Sequence, residues 1–208
     1  MPFWKEINLD SHTRILIWHI TETVPQLRNL ISAHTQITDR PEHHNTHWLS
    51  SRQLVYEYFK PAYPHVDIYK DEYGKPHVNI DGYCISITHS FEYAAIIISS
   101  SNAVAIDLEK FDQRIQRVAH KFMSDEELVM LEKELEMEYL TTIWSAKETL
   151  YKMYGKKELI FKEHLHVHPF KYNPSGRFDS HISKGIYHHS LKIHYCTFGS
   201  YILTYAIS

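Results

Sequence analysis

Between residues 83 and 109 the chain offers three apolar stretches in close succession, 83–88, 93–99 and 103–109, each too short for a stable helix and rich in β-branched residues. Buried backbone amides and carbonyls in such segments need partners, and neighbouring strands supply them, so the middle of the chain reads as a sheet. Helical periodicity flanks it on both sides. Upstream, residues 14–20 read as a strand and 24–34 as a helix that Thr21 or Thr23 could cap. A second helix follows Pro41, carries Trp48, Arg52, Val55 and Phe59 at spacings of three and four, and ends before Pro61. Short strands at 66–69 and 77–80 flank a turn at Asp71-Glu-Tyr-Gly74. Downstream, helices are expected over 115–122 and 125–154, the second opened by Ser124 and Glu127 as a capping box and stopped by Gly155. Strands at 165–167, 177–182, 191–197 and 201–207 complete a mixed α/β (α+β) pattern.

One internal similarity bears on domain organisation. Trp48, Leu54 and Tyr58 recur as Trp144, Leu150 and Tyr154, at the same offset and on expected helices. Unless it is coincidence, the recurrence describes two similar α/β halves, approximately 1–100 and 101–208, related by pseudo-twofold symmetry with the active site between them. In that alignment Arg52 occupies the slot filled by Glu148, a cation in one half and a carboxylate in the other. No linker rich in Pro, Gly or Ser divides the chain.

Composition excludes several classes of function. A formal charge of -3, from 22 Lys and Arg against 25 Asp and Glu, provides no overall field for nucleic acid or an anionic membrane. The 17 His make net charge depend steeply on pH near their ordinary pKa of about 6.5. Cys84 and Cys196, each in a β-like apolar segment, fit buried free thiols better than a disulfide framework, and a reducing cytoplasm is the expected compartment. The longest apolar run, 93–98, is far below the roughly 20 residues that span a bilayer.

The chemistry concentrates in two segments. In Ala105-Ile-Asp-Leu-Glu109 the two carboxylates are two residues apart on a strand and so share a face, while Ile106 and Leu108 share the other. Adjacent anions repel unless a cation lies between them, and an oxygen-only set suits Mg²⁺, with Glu148 as a third carboxylate. The bland alternative is a strand end with hydrated acids. In Trp144-Ser-Ala-Lys-Glu-Thr-Leu-Tyr-Lys-Met-Tyr-Gly155, Lys147 and Lys152 flank Glu148 and could hold phosphates; the alternative is an amphipathic helix with a surface ion pair.

These two segments resemble the hallmark pair of the Sfp-type 4'-phosphopantetheinyl transferases, an Ile-Asp-Ile/Leu-Glu strand and a Trp-x-x-Lys-Glu-x-x-x-Lys-x-x-Gly helix. Further pieces match in order: His47-Trp-Leu-Ser-Ser-Arg52, Gly74-Lys-Pro76, Ser86-Ile-Thr-His-Ser90 and Lys121-Phe-Met-Ser-Asp-Glu-Glu127. The resemblance implies a holo-carrier-protein synthase that moves 4'-phosphopantetheine from coenzyme A to a serine of an apo acyl or peptidyl carrier protein, releasing 3',5'-ADP. By the same resemblance Asp107, Glu109 and Glu148 bind Mg²⁺ with the coenzyme A pyrophosphate. Glu127, or a water it orients, takes the serine proton, although Glu127 also suits a helix cap. Lys152, with Lys147 nearby, steadies the pyrophosphate. Arg52, Lys75 and His89, with Gly74 and Thr88, hold the 3'-phosphate and adenosine end, and Arg40 is a further candidate there. The implied enzyme is a cytoplasmic monomer. Two departures from the pattern stand out: Thr88 replaces a serine before the motif histidine, and Thr149 follows Lys-Glu.

Carrier proteins of this kind are acidic, so a basic, partly apolar docking surface is expected, and Arg114, Arg117, Lys121, Phe111 and Met123 are its candidates. The histidines of Glu42-His-His-Asn-Thr-His47 and of His164-Leu-His-Val-His168, the latter set on one face of a strand, could take Zn²⁺ adventitiously, but a polar solvent face explains them as well. Rival functions are another Mg²⁺-dependent phosphoryl-transfer or hydrolytic enzyme, a non-catalytic coenzyme A binder, and an interaction module.

Overall fold

The computed structural model describes residues 4–32 and 45–208, and the chain divides into two compact units, Met1–Ala103 and Val104–Ser208. In the first unit, strands β1 (Trp4–Asn8), β2 (Thr13–His19), β5 (Cys84–Ser90) and β6 (Tyr93–Ser99) form an antiparallel sheet in the order β1-β2-β6-β5. Its continuous apolar stretch is β6, an inner strand whose residues 94–99 are all buried. A strand covered on both faces favours apolar side chains throughout, so alternation disappears, and the one buried polar residue at its end, Ser99, is hydrogen-bonded to Thr13 Oγ1. Helices α1 (Val24–Ser32) and α2 (Thr46–Phe59) pack with this sheet, burying Leu27, Leu49, Leu54 and Phe59 against Leu16, Trp18 and Ile96. Asn45 caps α2, its side chain accepting from Trp48 N at 2.9 Å. A hairpin of β3 (Ile68–Lys70) and β4 (Pro76–Val78) completes the unit.

The second unit is a five-stranded antiparallel sheet in the order β7-β11-β10-β9-β8, formed by β7 (Val104–Lys110), β8 (Leu165–Val167), β9 (Ser175–Lys184), β10 (Tyr187–Phe198) and β11 (Tyr201–Ile207). Helix α5 (Glu136–Tyr154) lies on β7 and β11 and buries Leu140, Ile143, Ala146 and Leu150 among Ala105, Ile202 and Ala206. Gly155 closes α5 in the left-handed region, φ 69°, which glycine adopts without steric penalty. Shorter helices α3 (Ile115–Phe122), α4 (Asp125–Leu128) and α6 (Phe161–His164) surround it.

Several expectations need correction. The single helix expected over 125–154 is three pieces: α4, a 3-10 turn at Lys133–Leu135, and α5. The capping box forms as expected, but Met130 and Leu131 turn back to pack against the core, and a new helix starts where Glu136 and Glu138 place negative charge at a helix N-terminus. The strand β1 and the helix α6 were not expected. The end of the helix expected over 24–34 lies outside the described residues. At the start of α1 the roles are reversed, with Thr23 donating both its N–H and its hydroxyl to the Gln26 side chain. Both cysteines are free, but Cys84 opens β5 on its exposed face and Cys196 is only half-buried.

Candidate functional site

The sheet of the second unit presents Asp107 and Glu109 toward α5, because Ala105 on the same face belongs to the core under that helix while Ile106 and Leu108 point away. Asp107 is 4% exposed and anchored at both oxygens. Its Oδ1 accepts from Lys152 Nζ at 2.8 Å and its Oδ2 from Ser145 Oγ at 2.9 Å. Lys152 also donates to Ile106 O at 3.0 Å, and its side chain stays 27% exposed, so one ammonium bridges the buried strand and the surface. Glu109 Oε1 accepts from Trp144 Nε1 at 2.9 Å.

The electrostatics of this group favour an added cation. Burial, then the charge of Asp107, pushes the Glu109 carboxyl up to about 7, with Glu148 adding to it and Trp144 and Lys152 opposing. Burial and Asp107 likewise push Glu148 up to about 7, against Lys152. Three carboxylates therefore share one ammonium, an excess of negative charge that a hard divalent ion with oxygen ligands relieves. Asp107, Glu109 and Glu148 fit such an ion by donor chemistry. Among the described residues, however, no three His, Cys, Asp or Glu side chains already stand in metal-ligating arrangement.

Glu127 and Lys147 form a buried ion pair. Lys147 is fully buried and donates to Glu127 Oε2 at 2.7 Å, Phe122 O at 2.6 Å and Phe161 O at 3.2 Å, using the three protons an ammonium has. Glu127, 2% exposed, accepts from Ser124 N at 2.8 Å through Oε2 and from Val167 N at 2.9 Å through Oε1. Of its two expected roles, proton acceptor and helix cap, the cap is the one these hydrogen bonds fill. The pair braces α5 to the ends of α3 and α4, the start of α6, and β8. A phosphate contact by Lys147 would require breaking this set.

In the first unit the expected residues fall on three supports. Helix α2 begins with His47, Trp48 and Arg52; the Arg52 guanidinium lies 3.5 Å from the Trp48 ring centroid and donates to Trp48 O at 3.4 Å. The end of β5 supplies Thr88, buried, and His89, exposed, whose ring stacks on His47 at 4.4 Å. His47 Nε2 in turn is hydrogen-bonded to Phe91 O. Gly74 and Lys75 sit in the turn between β3 and β4. There Gly74 has φ 91°, and the Gly74 N–H and the Lys75 N–H converge on Asp71 O and Oδ1. Arg40 lies outside the described residues.

The expected carrier surface loses one member. Met123 is fully buried and Phe111 is half-buried against the core, whereas Arg117 and Lys121 are exposed on α3 and Arg114 is paired with Asp112. The histidine strand is likewise only partly realised. His164 ends α6, where its Nδ1 accepts from Ile160 N, while His166 stacks on His181 at 4.4 Å and His168 Nε2 lies 2.9 Å from His181 Nδ1.

Sequence reasoning missed the supporting groups Trp144, Ser145 and Thr204. Trp144 and Ser145 stand inside the helix motif and could have been suspected; Thr204 carries no signal, since only the β7–β11 register puts it opposite Asp107.

A mixed α/β protein with a buried and a half-buried carboxylate on one strand and a lysine-bearing helix across them defines a class suited to phosphate chemistry assisted by a divalent ion. The family model of the 4'-phosphopantetheinyl transferase superfamily matches residues 103–206, half of the chain and the segment that carries these groups. The chain belongs to that superfamily and is a transferase of the phosphopantetheine group. No curated protein matches it.

Proposed function

We propose that this chain is a holo-carrier-protein synthase of the Sfp-type, moving 4'-phosphopantetheine from coenzyme A to a serine of an apo acyl or peptidyl carrier protein. The observation that carries the reading is the group of buried Asp107 and half-buried Glu109 and Glu148 around one partly exposed ammonium, Lys152. Asp107, Glu109 and Glu148 would hold Mg²⁺ there, and the ion when bound would offset negative charge on the coenzyme A pyrophosphate.

The serine Oγ forms a bond to the phosphorus bearing pantetheine, the bond from that phosphorus to the bridging pyrophosphate oxygen breaks, and 3',5'-ADP and a proton are released. Lys152, in reach of both strand and solvent, steadies the departing phosphate. Glu127 and Lys147 act by holding α5 in register, so that Glu148 and Lys152 face β7. Arg52, Lys75 and His89, with Gly74 and Thr88, serve the 3'-phosphate and adenosine end, and Arg40 is assigned with them from the sequence. On this reading the 1–100 half is the coenzyme A side and the 101–208 half the metal side. The helix and sheet of each unit, with Trp48, Leu54 and Tyr58 on α2 and Trp144, Leu150 and Tyr154 on α5, support two versions of one α/β plan. The reading places the enzyme in the cytoplasm as a monomer. Among the described residues no helix is long and apolar enough to cross a membrane.

The test incubates the protein with Mg²⁺, coenzyme A and several unrelated apo carriers and measures intact carrier mass. Transfer adds about 340 Da to the carrier, as expected of a covalent adduct. Release of phosphopantetheine without a carrier would indicate a hydrolase, and binding of coenzyme A with no turnover a passive binder; either result overturns the proposal.

A further inference from the structure

Beneath Asp107 lies a set of buried hydroxyls. The β7–β11 register places Thr204 directly across from Asp107, and α5 brings Ser145 and Thr149 onto the same spot. Ser145 Oγ lies 2.9 Å from Asp107 Oδ2 and 2.9 Å from Thr204 Oγ1; Thr204 Oγ1 lies 2.7 Å from Thr149 Oγ1 and 3.0 Å from Ser145 O. Ser145, Thr149 and Thr204 are all fully buried.

Proton counting orients this chain. The Asp107 carboxylate, ion-paired with Lys152, only accepts, so the single Ser145 hydroxyl proton goes to it. Thr204 then donates to Ser145, at Oγ or at the backbone oxygen, and Thr149 donates to Thr204, at Oγ1 or, at 3.4 Å, at its backbone oxygen. With the Thr204 proton on Ser145 Oγ, a chain runs from Thr149 through Thr204 and Ser145 to Asp107; with it on Ser145 O, Thr204 instead ties the backbone that carries Ser145 to β11 beneath the carboxylate. Valine or alanine would fill these positions in an apolar core without the desolvation penalty of a hydroxyl.

We infer that Ser145 and Thr204, backed by Thr149, are positioning residues that fix the orientation of the Asp107 carboxylate for a divalent cation. The inference rests on the reading of Asp107 as a metal ligand. Asp107 is thereby held from two sides, by an ammonium at Oδ1 and by a hydroxyl chain at Oδ2. A ligand oriented by such neighbours binds its ion more tightly than a freely rotating one, and losing a partner of this kind weakens affinity about 10- to 100-fold.

The test measures Mn²⁺ binding by titration calorimetry in wild type, Ser145→Ala, Thr204→Val and Thr204→Ser, with and without coenzyme A, and checks folding by circular dichroism. Ser145→Ala and the isosteric Thr204→Val should each weaken Mn²⁺ binding about tenfold or more, whereas Thr204→Ser, which keeps the hydroxyl, should stay within about twofold of wild type. Wild-type affinity in folded Ser145→Ala and Thr204→Val overturns the inference, as does a Thr204→Ser protein as weak as Thr204→Val, which would assign the effect to packing. Should Thr204→Val fail to fold, Ser145→Ala, which removes one oxygen only, decides by itself. A wild-type protein that binds no Mn²⁺ in either condition overturns the metal reading and this inference with it, an outcome distinct from variants that match a binding wild type.

Discussion

Replacing Lys147 by Met separates a brace from a phosphate ligand. The substitution keeps the aliphatic stem in a fully buried site but removes an ammonium that bonds Phe122 O, Glu127 Oε2 and Phe161 O. Glu127 would then be left at 2% exposure with only the Ser124 and Val167 amides to accept from. Removing one partner of a buried pair destabilises by about 3 to 5 kcal/mol, a large part of the roughly 5 to 15 kcal/mol of a typical domain. Urea unfolding followed by circular dichroism should show that loss, and Tm should fall by about 10 °C or more. Neutralising the orphaned carboxylate as well, in Lys147→Met with Glu127→Gln, should recover at least about 1 kcal/mol, the signature of direct coupling. Below its melting range the Lys147→Met protein should keep a KM for coenzyme A within about threefold of wild type. A stability loss under about 1 kcal/mol together with a KM raised about tenfold would refute the brace and restore Lys147 as a phosphate contact.

Other consequences are as direct. Asp107→Ala should lower transfer at least about a hundredfold and abolish Mn²⁺ binding while the protein stays folded; normal activity would remove the metal assignment. Arg117→Glu with Lys121→Glu, on the exposed face of α3, should raise KM for an acidic carrier by about tenfold and leave coenzyme A binding unchanged in calorimetry; unchanged carrier kinetics would count against that surface. Burial, and then the neighbouring His166, His168 and His188, hold the His181 imidazole below its ordinary value of 6.5. A lowered folded-state pKa means that the native state prefers the neutral ring. Its contribution is therefore present above about pH 6.5 and lost as pH falls through 6.5 toward the folded value. Unfolding midpoints should drop between pH 7 and pH 5, and His181→Gln should flatten that dependence.

Strands and helices with strong periodicity were legible from the chain alone. The β6 run, the Asp107/Glu109 alternation, the Ser124/Glu127 capping box and the Gly155 stop follow from local rules: a two-residue strand repeat, the reach of a side chain to its own backbone, and the freedom of glycine at positive φ. These depend on neighbours within a few residues, so the amino-acid order carries them. The break between α4 and α5 was not legible, because Met130 and Leu131 suit either a helix face or a turn, and only the core they join selects the turn.

The chemistry divides along the same line. Sequence by itself determined which carboxylates and lysines could form a phosphate site, since Asp107 and Glu109 share a strand face and Lys147, Glu148 and Lys152 share a helix. Tertiary structure decided which of the two lysines meets which acid. Lys152 reaches Asp107 and remains partly in solvent, while Lys147, five residues earlier on the same helix, turns into the interior and meets Glu127 from a separate element. It also placed Thr204 across from Asp107, through a register between strands that nearly a hundred residues separate. Burial and hydrogen-bond partners across such distances are properties of the packed molecule, and charge type alone cannot assign them.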